Sequence, residues 1–334
     1  MTPIALFVFN RPHLTTQVYE RVRAARPSRL LVVADAPRAN RPDDVQLCDA
    51  TRKIVTSPDW PCELLTNFAE ENLGARRRIS SGLDWVFDLC PEAIILEDDC
   101  VPCPSFFSFC SNMLSCYRED TRIMHITGNN FQGGRRRGNG SYFFSRYAHT
   151  WGWASWRRAW RYFDVNMKAW PIARQERWLA SVMDDPVEIK YWTGILEQAY
   201  RGLIEVWDYQ WMFTCWSQSG LSIQPNENLV TNIGVGPDAL HFKQGHSTIG
   251  IPTRELGKCV HPSVMMADRE ADRFTFRKHI LRKQSWFREM RNTLALRTRM
   301  TRLLRGAPRQ QLSGCATRPD HREDPYAGNV RDAG

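Results

Sequence analysis

No stretch of this chain comes near the roughly 18 to 20 uninterrupted apolar residues that a membrane-spanning helix needs, which argues against a membrane-embedded protein. The N-terminus runs straight into Ile4-Ala5-Leu6-Phe7-Val8-Phe9 with no charged leader and no small-residue cleavage site, so no signal peptide is expected and secretion is disfavoured. There is no internal repeat, and the composition lacks the low hydrophobicity of a disordered chain. Of 334 residues 43% are hydrophobic and 24% charged, enough for a sizeable buried core in one large or two ordinary domains. Paired CxxC motifs are missing too: among the ten cysteines, Cys100, Cys103, Cys110 and Cys116 contain one CxxC and not the two of a structural zinc site. In a long chain without an export signal most of them read as reduced, partly buried thiols.

Charge of one sign is scarce outside a single segment. Between Arg269 and Arg305, 12 Lys or Arg face only Glu270, Asp272 and Glu289, an excess that equals the net charge of +9 of the whole chain. The body is therefore close to neutral, and no nucleic-acid partner is expected. The same segment intersperses Phe276, Ile280, Phe287, Leu294 and Leu303 with arginines, a pattern that suits either an anionic membrane surface or a solvated helix packed on the body. From Gly306 onward Gly, Pro, Arg and Asp dominate without apolar periodicity, which predicts disorder.

The first hundred residues alternate between two textures. Apolar runs at 4–9, 30–34, 62–66 and 93–96 read as strands, and Leu14, Val18 and Val22, then Ile79, Leu83 and Val86, then Phe106, Cys110, Met113 and Tyr117, recur at helical spacing. Strands separated by helices predict an α/β fold with a mostly parallel sheet covered on both faces. In such sheets ligands bind beyond the carboxyl ends of the strands, so Asn10-Arg11, Asp35 and Glu97-Asp98-Asp99 are expected to line one crevice. After residue 128 comes a glycine-rich basic loop, Gly133-Gly134-Arg135-Arg136-Arg137-Gly138, and ten of the 13 tryptophans fall between Trp151 and Trp216. Trp153, Trp156 and Trp160, spaced i, i+3, i+7, read as a helical core stripe, with Trp151 and Trp207 the candidates for stacking on a ligand. The stretch 228–250, rich in Gly, Asn and His, suggests loops over a site.

Three consecutive acids at the end of a buried strand repel one another, and a divalent oxygen-binding cation bridging a diphosphate would compensate them; the other reading is a solvated acidic turn. Arg11 and the cluster Arg76-Arg77-Arg78 suit phosphate, since guanidinium grips it with two parallel hydrogen bonds, unless the cluster is simply a solvated helix face. Asp35 is either a ligand of a base or ribose or a turn and cap residue beside Pro37. Asp208 is either a general base, partly desolvated among Trp207, Tyr209 and Trp211, or the cap of the helix that follows. His241 is either a metal or phosphate ligand or an ordinary loop residue.

These residues resemble the nucleotide-sugar glycosyltransferases of the GT-A fold. The likeness is greatest to the N-acetylglucosaminyltransferase I family, whose Glu-Asp-Asp run is likewise followed by Val-Ala-Pro and a Phe-Phe pair, here Val101-Pro102 and Phe106-Phe107. Trp151-Gly152-Trp153 resembles that family's Gly-Leu-Gly-Trp segment, and Trp207-Asp208-Tyr209-Gln210-Trp211-Met212 its Trp-Asp-Asp-Trp-Met segment, over scattered motifs from residue 4 to 246. Tyr209-Gln210 in place of a single acid, and Cys100-Val101-Pro102-Cys103, depart from the pattern. The resemblance implies a GT-A-like sheet and an inverting, metal-dependent transferase. In it Asp99 ligates Mn2+ or Mg2+, and Asp98 and Glu97 contact the ribose and sugar. Arg11, with Asn10 and Arg78 nearby, binds the nucleotide or its phosphates, Asp35 the uracil or ribose, and Asp208 is the base; Trp151, Trp153 and Trp207 face the acceptor. The expected division is a donor half at 1–127, an acceptor half at 128–266, a basic helical segment at 267–305 and a tail at 306–334. The expected partners are a nucleotide-sugar donor and a glycan or lipid-linked acceptor. The expected location is the cytoplasm, including the inner membrane face. A nucleotidyltransferase and an inactive carbohydrate-binding protein share the crevice, but the former would want a glycine-rich, lysine-bearing loop where this chain has Asn10-Arg11-Pro12.

Overall fold

The computed structural model describes residues 2–234 and 248–281. Its centre is an eight-stranded sheet in the order β3-β2-β1-β4-β8-β6-β9-β7. Strands β1 (Ile4–Val8), β2 (Arg29–Ala34), β3 (Glu63–Phe68) and β4 (Glu92–Glu97) pair in parallel. Next to β4, β8 (Trp153–Trp156) runs antiparallel, and it also pairs antiparallel with β6 (Ile123–Thr127). Strand β9 (Leu221–Pro225) is parallel to β6, and β7 (Tyr142–Ser145) closes the edge antiparallel to β9. Six strands therefore point one way, with β7 and β8 opposed. A separate antiparallel ribbon joins β5 (Cys100–Pro102) to β10 (Val230–Asn232).

The helices are α1 (Pro12–Ala25), α2 (Asp43–Val55), α3 (Gly74–Leu89), α4 (Pro104–Cys116), α5 (Arg157–Trp160), α6 (Trp170–Gln175), α7 (Leu179–Val182), α8 (Pro186–Tyr200), α9 (Asp208–Ser217) and α10 (Arg269–Thr275). The last continues into a π-helical turn over Phe276–Ile280. Proline at the first position of α1 costs no hydrogen bond there, and the four-residue spacing of Leu14, Val18 and Val22 turns one buried stripe to the sheet. Helix α8 is capped by the Asp185 carboxylate, which accepts from the Val187 N–H at 2.9 Å. Against β1 and β2, α3 lies so close that a Cβ on Gly82 would stand 2.6 Å from both Phe7 and Val33.

Every residue of β1 is buried, as a strand covered on both faces requires, and its alternation deals side chains into two cores. Ile4, Leu6 and Val8 join Leu30, Val32, Ile94 and Leu96 under α1 and α4, while Ala5 and Phe7 join Leu31, Val33 and Ile95 under α3. A third cluster, including Trp170, Trp192, Trp216 and Phe276, sits among the later helices. Each fully buried aliphatic or aromatic side chain stabilises the fold by about 1.5 to 3 kcal/mol. The architecture is α/β and GT-A-like: a mostly parallel sheet, flanked by helices, with its second half rich in tryptophan.

The helical reading of Trp153, Trp156 and Trp160 is corrected here. Trp153 to Trp156 is strand β8, and because residues three apart on a strand face opposite ways, Trp153 enters one core and Trp156 the other. Among the described helices none is long and apolar enough to cross a membrane. His241, the basic residues from 282 to 305 and the tail at 306–334 lie outside the described residues.

Candidate functional site

Strands β1, β2 and β4 end level with one another, since Val8 pairs with Ala34 and Phe7 with Glu97. The residues that follow each strand are thereby set side by side. Arg11, in the link from β1 to α1, reaches across to the end of β4. Its Nε donates to Asp98 Oδ2 at 3.3 Å, while Nη2 pairs with Asp98 Oδ1 and stands 3.0 Å from Asp99 Oδ2. Asp98 is only 3% exposed. Burial opposes the charge on Arg11, yet Asp98, Asp99 and Glu97 around it leave its pKa raised.

Among the described residues one guanidinium is paired with these acids. Burial, then repulsion from Asp99 and Asp98, push Glu97 well above the usual carboxylate range, and Asp208 adds to that repulsion. Burial likewise raises Asp98, with Arg11 pulling the other way. Trp207, the residue before α9, stands 5.8 Å between ring centroids from Trp153, and Trp153 pairs with Ile95 of β4, so the start of α9 lies near the end of β4 although 110 residues of chain separate the two segments. Asp98, Asp99 and Arg11 thus meet beyond the carboxyl end of β4, with Asp208 at the start of the helix packed nearby.

Asp99 is clasped from the other side. Its carbonyl accepts the Ile233 N–H at 2.8 Å, and its Oδ1 accepts from Asn232 Nδ2 at 3.2 Å and from the Cys100 thiol at 3.3 Å. Gly234 follows, its N–H donating to Asn232 Oδ1 at 2.9 Å, and a Cβ there would stand 2.2 Å from Asp99 Oδ2. Asn232 and Gly234 went unnamed in the sequence reading; the signal available was their place in the Gly- and Asn-rich stretch.

The remaining donor-side candidates are already engaged within the chain. The Asp35 carboxylate accepts the N–H groups of Ala36 and Leu73 at 2.9 Å, that of Gly74 at 3.0 Å and Asn72 Nδ2 at 3.2 Å, at the start of α3. Asn10 donates to Asp44 Oδ1 at 2.8 Å; a hydrogen bond from Arg38 holds the Asp44 carboxyl down at about 2. Arg78 donates to the carbonyl and side-chain oxygens of Asn67, both at 2.6 Å, and to the Ala34 carbonyl at 3.1 Å, and burial lowers its pKa.

On the tryptophan side, Trp153 is fully buried, with Trp207 on one side at 5.8 Å between ring centroids and His125 stacked at 5.1 Å on the other. Trp207 is 6% exposed, whereas Trp151 is half-buried and meets Phe131 edge-on. Beneath them, burial lowers His125 to about 4. Its Nδ1 accepts from Trp211 Nε1 at 3.1 Å, so the ring proton sits on Nε2 and is donated to the His149 carbonyl at 2.8 Å. This neutral histidine braces α9, and with it Asp208, against the sheet.

Among the described residues no group of three His, Cys, Asp or Glu side chains forms a metal cage. The donor chemistry nevertheless fits a hard divalent ion. Such ions are held by one or two carboxylates together with substrate phosphates, and the Asp99 carboxylate is of that kind.

No protein-family model and no curated protein matches this chain. Matches among solved structures include a mannosyltransferase from Pyrobaculum calidifontis in complex with GDP-Man and Mn2+, at 12% identity and a TM-score of 0.31, covering 46% of this chain and 44% of that one. TarS residues 1–349 from S. aureus matches at 10% identity and a TM-score of 0.32, over 47% of each chain. HddC from Yersinia pseudotuberculosis matches at 10% and 0.29, over 47% of this chain and 78% of that one. The aligned part spans less than half the length of the first two. Likenesses this faint leave the chemistry to be argued from the site itself.

Proposed function

We propose that this protein is an inverting, metal-dependent glycosyltransferase that moves a sugar from a nucleoside diphosphate donor, a uridine diphosphate sugar, to a hydroxyl of a glycan or lipid-linked saccharide in the cytoplasm. The observation that carries the reading is the meeting of Arg11 with Asp98 and Asp99 beyond the carboxyl end of β4, beside the start of α9, where Trp207 packs on Trp153 next to Ile95. Residues 1–127 supply the donor half and 128–266 the acceptor half.

Asp208 is the general base. It takes the proton of the acceptor hydroxyl as that oxygen attacks the anomeric carbon, while the bond from that carbon to the diphosphate breaks and nucleoside diphosphate leaves. One displacement inverts the anomeric centre, so no carboxylate nucleophile is required. Glu97 and Asp98 orient the donor's sugar and ribose, and Arg11 supplies positive charge beside the diphosphate. Asp99, together with the donor phosphates, would hold Mn2+ or Mg2+, which when bound would supply positive charge to the leaving diphosphate. Of the acceptor candidates the half-buried Trp151 has the surface to stack on a sugar, whereas Trp153 and Trp207 are buried in the core under α3.

Thermal unfolding with nucleotides and nucleotide sugars, each with and without Mn2+, tests this. A ligand that binds only the folded state raises Tm with its concentration. Uridine diphosphate is expected to raise Tm only with Mn2+, and Asp99→Ala to abolish the shift. No shift with any nucleotide at millimolar concentration removes the donor site and leaves a carbohydrate-binding protein on the same fold.

A further inference from the structure

The basic loop after β6 has no part in donor chemistry, yet it is firmly built. Gln132 donates through Nε2 to the Ala271 carbonyl at 3.2 Å and to Thr275 Oγ1 at 2.9 Å, fastening the loop to α10. At its far end Asn226 accepts the Arg137 N–H at 2.8 Å and donates to the carbonyls of Arg137 and Gly140 at 2.8 and 3.0 Å. The result is a cluster of cations around one ring. Arg135, Lys278 and Arg137 stand 4.6, 5.1 and 5.8 Å from the centroid of Phe274, with Arg136 beside them donating to Gly140 O.

Neighbouring arginines of the same helical segment are treated differently. Arg273 pairs with Asp184 at 2.8 Å and Arg277 with Asp185 at 3.0 Å, whereas among the described residues Arg135, Arg136, Arg137 and Lys278 have no ion-pair partner. Any two of the three around Phe274 are at most about 11 Å apart, little more than the Debye length of about 10 Å at 0.1 M salt, so their fields overlap at low ionic strength. Arg135, Arg136 and Lys278 are exposed.

The patch lies at the reacting end of the sheet. Strands β4 and β6 are both antiparallel to β8, so the loop after β6 leaves from the same end as Glu97-Asp98-Asp99. Contacts connect the two: Phe131 meets Trp151 at 5.7 Å between centroids, a Cβ on Gly152 would press on Val230, and Val230 shares β10 with Asn232, which holds Asp99.

Resting on the transferase reading, we infer that the acceptor is an anionic saccharide, carrying phosphate or carboxylate groups along its chain, and that Arg135, Arg136, Arg137 and Lys278 hold this chain while its terminal hydroxyl faces Asp208. Guanidinium forks grip either oxyanion with paired hydrogen bonds, and clustered positive charge speeds the encounter.

The test uses the full chain and compares wild type with the double variant Arg135→Gln/Lys278→Gln and with Arg135→Lys. Affinities are measured for oligo(glycerol phosphate), oligogalacturonate, neutral maltooligosaccharide and phosphatidylglycerol vesicles. At least one of the two polyanions is expected to bind, with affinity falling roughly tenfold in the double variant, as loss of charge-assisted bonds implies. Arg135→Lys should keep most of that affinity, vesicle and maltooligosaccharide binding should not change, and the Mn2+-dependent shift with uridine diphosphate should persist. The inference is overturned if neither polyanion binds through these residues. It is equally overturned if vesicle binding falls by the same factor, which assigns the patch to a lipid surface. Absence of the uridine diphosphate shift in wild type sinks the transferase reading alone and leaves patch-dependent polyanion binding standing.

Discussion

Replacing Gly234 by alanine tests whether the placement of Asp99 governs the reaction. The new Cβ would stand 2.2 Å from Asp99 Oδ2, 2.9 Å from its Cγ and 3.1 Å from its Cβ. Ordinary nonbonded separations are about 3.5 Å, so the carboxylate oxygen must retreat by roughly 1 Å. The main chain of Asp99 cannot take up that movement easily, because its carbonyl is held by the Ile233 N–H at 2.8 Å and its neighbour Cys100 is paired in β5 with Asn232. The shift falls on the side chain, which then loses its contact with Arg11 at 3.0 Å or with Asn232 at 3.2 Å. Misplacing a reacting group by about 1 Å costs about 100-fold in rate, equivalent to about 2.7 kcal/mol of transition-state stabilisation. Overpacking should lower global stability by about 1 to 3 kcal/mol, less than a domain's whole margin. The assay is transfer from a uridine diphosphate sugar at varied Mn2+, alongside unfolding curves. A folded Gly234→Ala protein whose kcat/KM and Mn2+ dependence stay within about threefold of wild type would refute the reasoning.

Asp208→Asn should lower kcat by about 10²- to 10⁴-fold while leaving donor affinity intact, because only proton transfer is lost; titration of the variant with uridine diphosphate and single-turnover rates separate the two. Arg11→Met removes the cation paired with the buried Asp98 and should cost about 3 kcal/mol of stability, read from denaturant unfolding without divalent ions. A third prediction concerns pH. Burial lifts Asp272 from 3.8 to about 7, although the Ser145 hydroxyl and the Arg146 N–H both donate to it. The folded state therefore holds a proton that the unfolded chain releases. The stability this proton confers is present in full below pH 3.8, declines as pH rises, and is gone above about 7. Between pH 5 and 7 wild type should lose about 2 kcal/mol more than Asp272→Asn, and parallel curves for the two would count against it.

The first four strands and the helices between them were legible because each is a local signal. Ile4–Val8 or Ala93–Leu96 can be nothing but a doubly covered strand, and Leu14, Val18 and Val22 repeat at the period of a helix. The convergence of Arg11 with Glu97-Asp98-Asp99 was legible too, since parallel strands deliver their carboxyl ends to one place. Strand β8 was not. It is four residues long and its tryptophans sit three apart, so the eye takes a helical interval where the chain places one ring on each side of the sheet. The many partners of Asp35 were hidden for a related reason. They come from Asn72, Leu73 and Gly74, which the β3–α3 connection brings over the end of β2, and no periodicity in the sequence records that return.

The acidic end of β4 is best understood as a deliberate imbalance. Burial pushes both Glu97 and Asp98 upward, and at Glu97 the repulsion of Asp99 and of Asp98 each outweighs the attraction of Arg11. Pairing each acid with its own arginine would make the fold more stable and would also leave nothing for a donor to do. Elsewhere the chain does pair its charges, as Arg38 does with Asp44 and Arg118 with Glu92. With Arg11 the one cation paired with the β4 acids among the described residues, a divalent ion arriving with a diphosphate would relieve repulsion at Glu97. Binding of donor and metal should then stabilise the fold more than either alone, and the uncompensated basic patch around Phe274 stands in the same relation to an anionic acceptor.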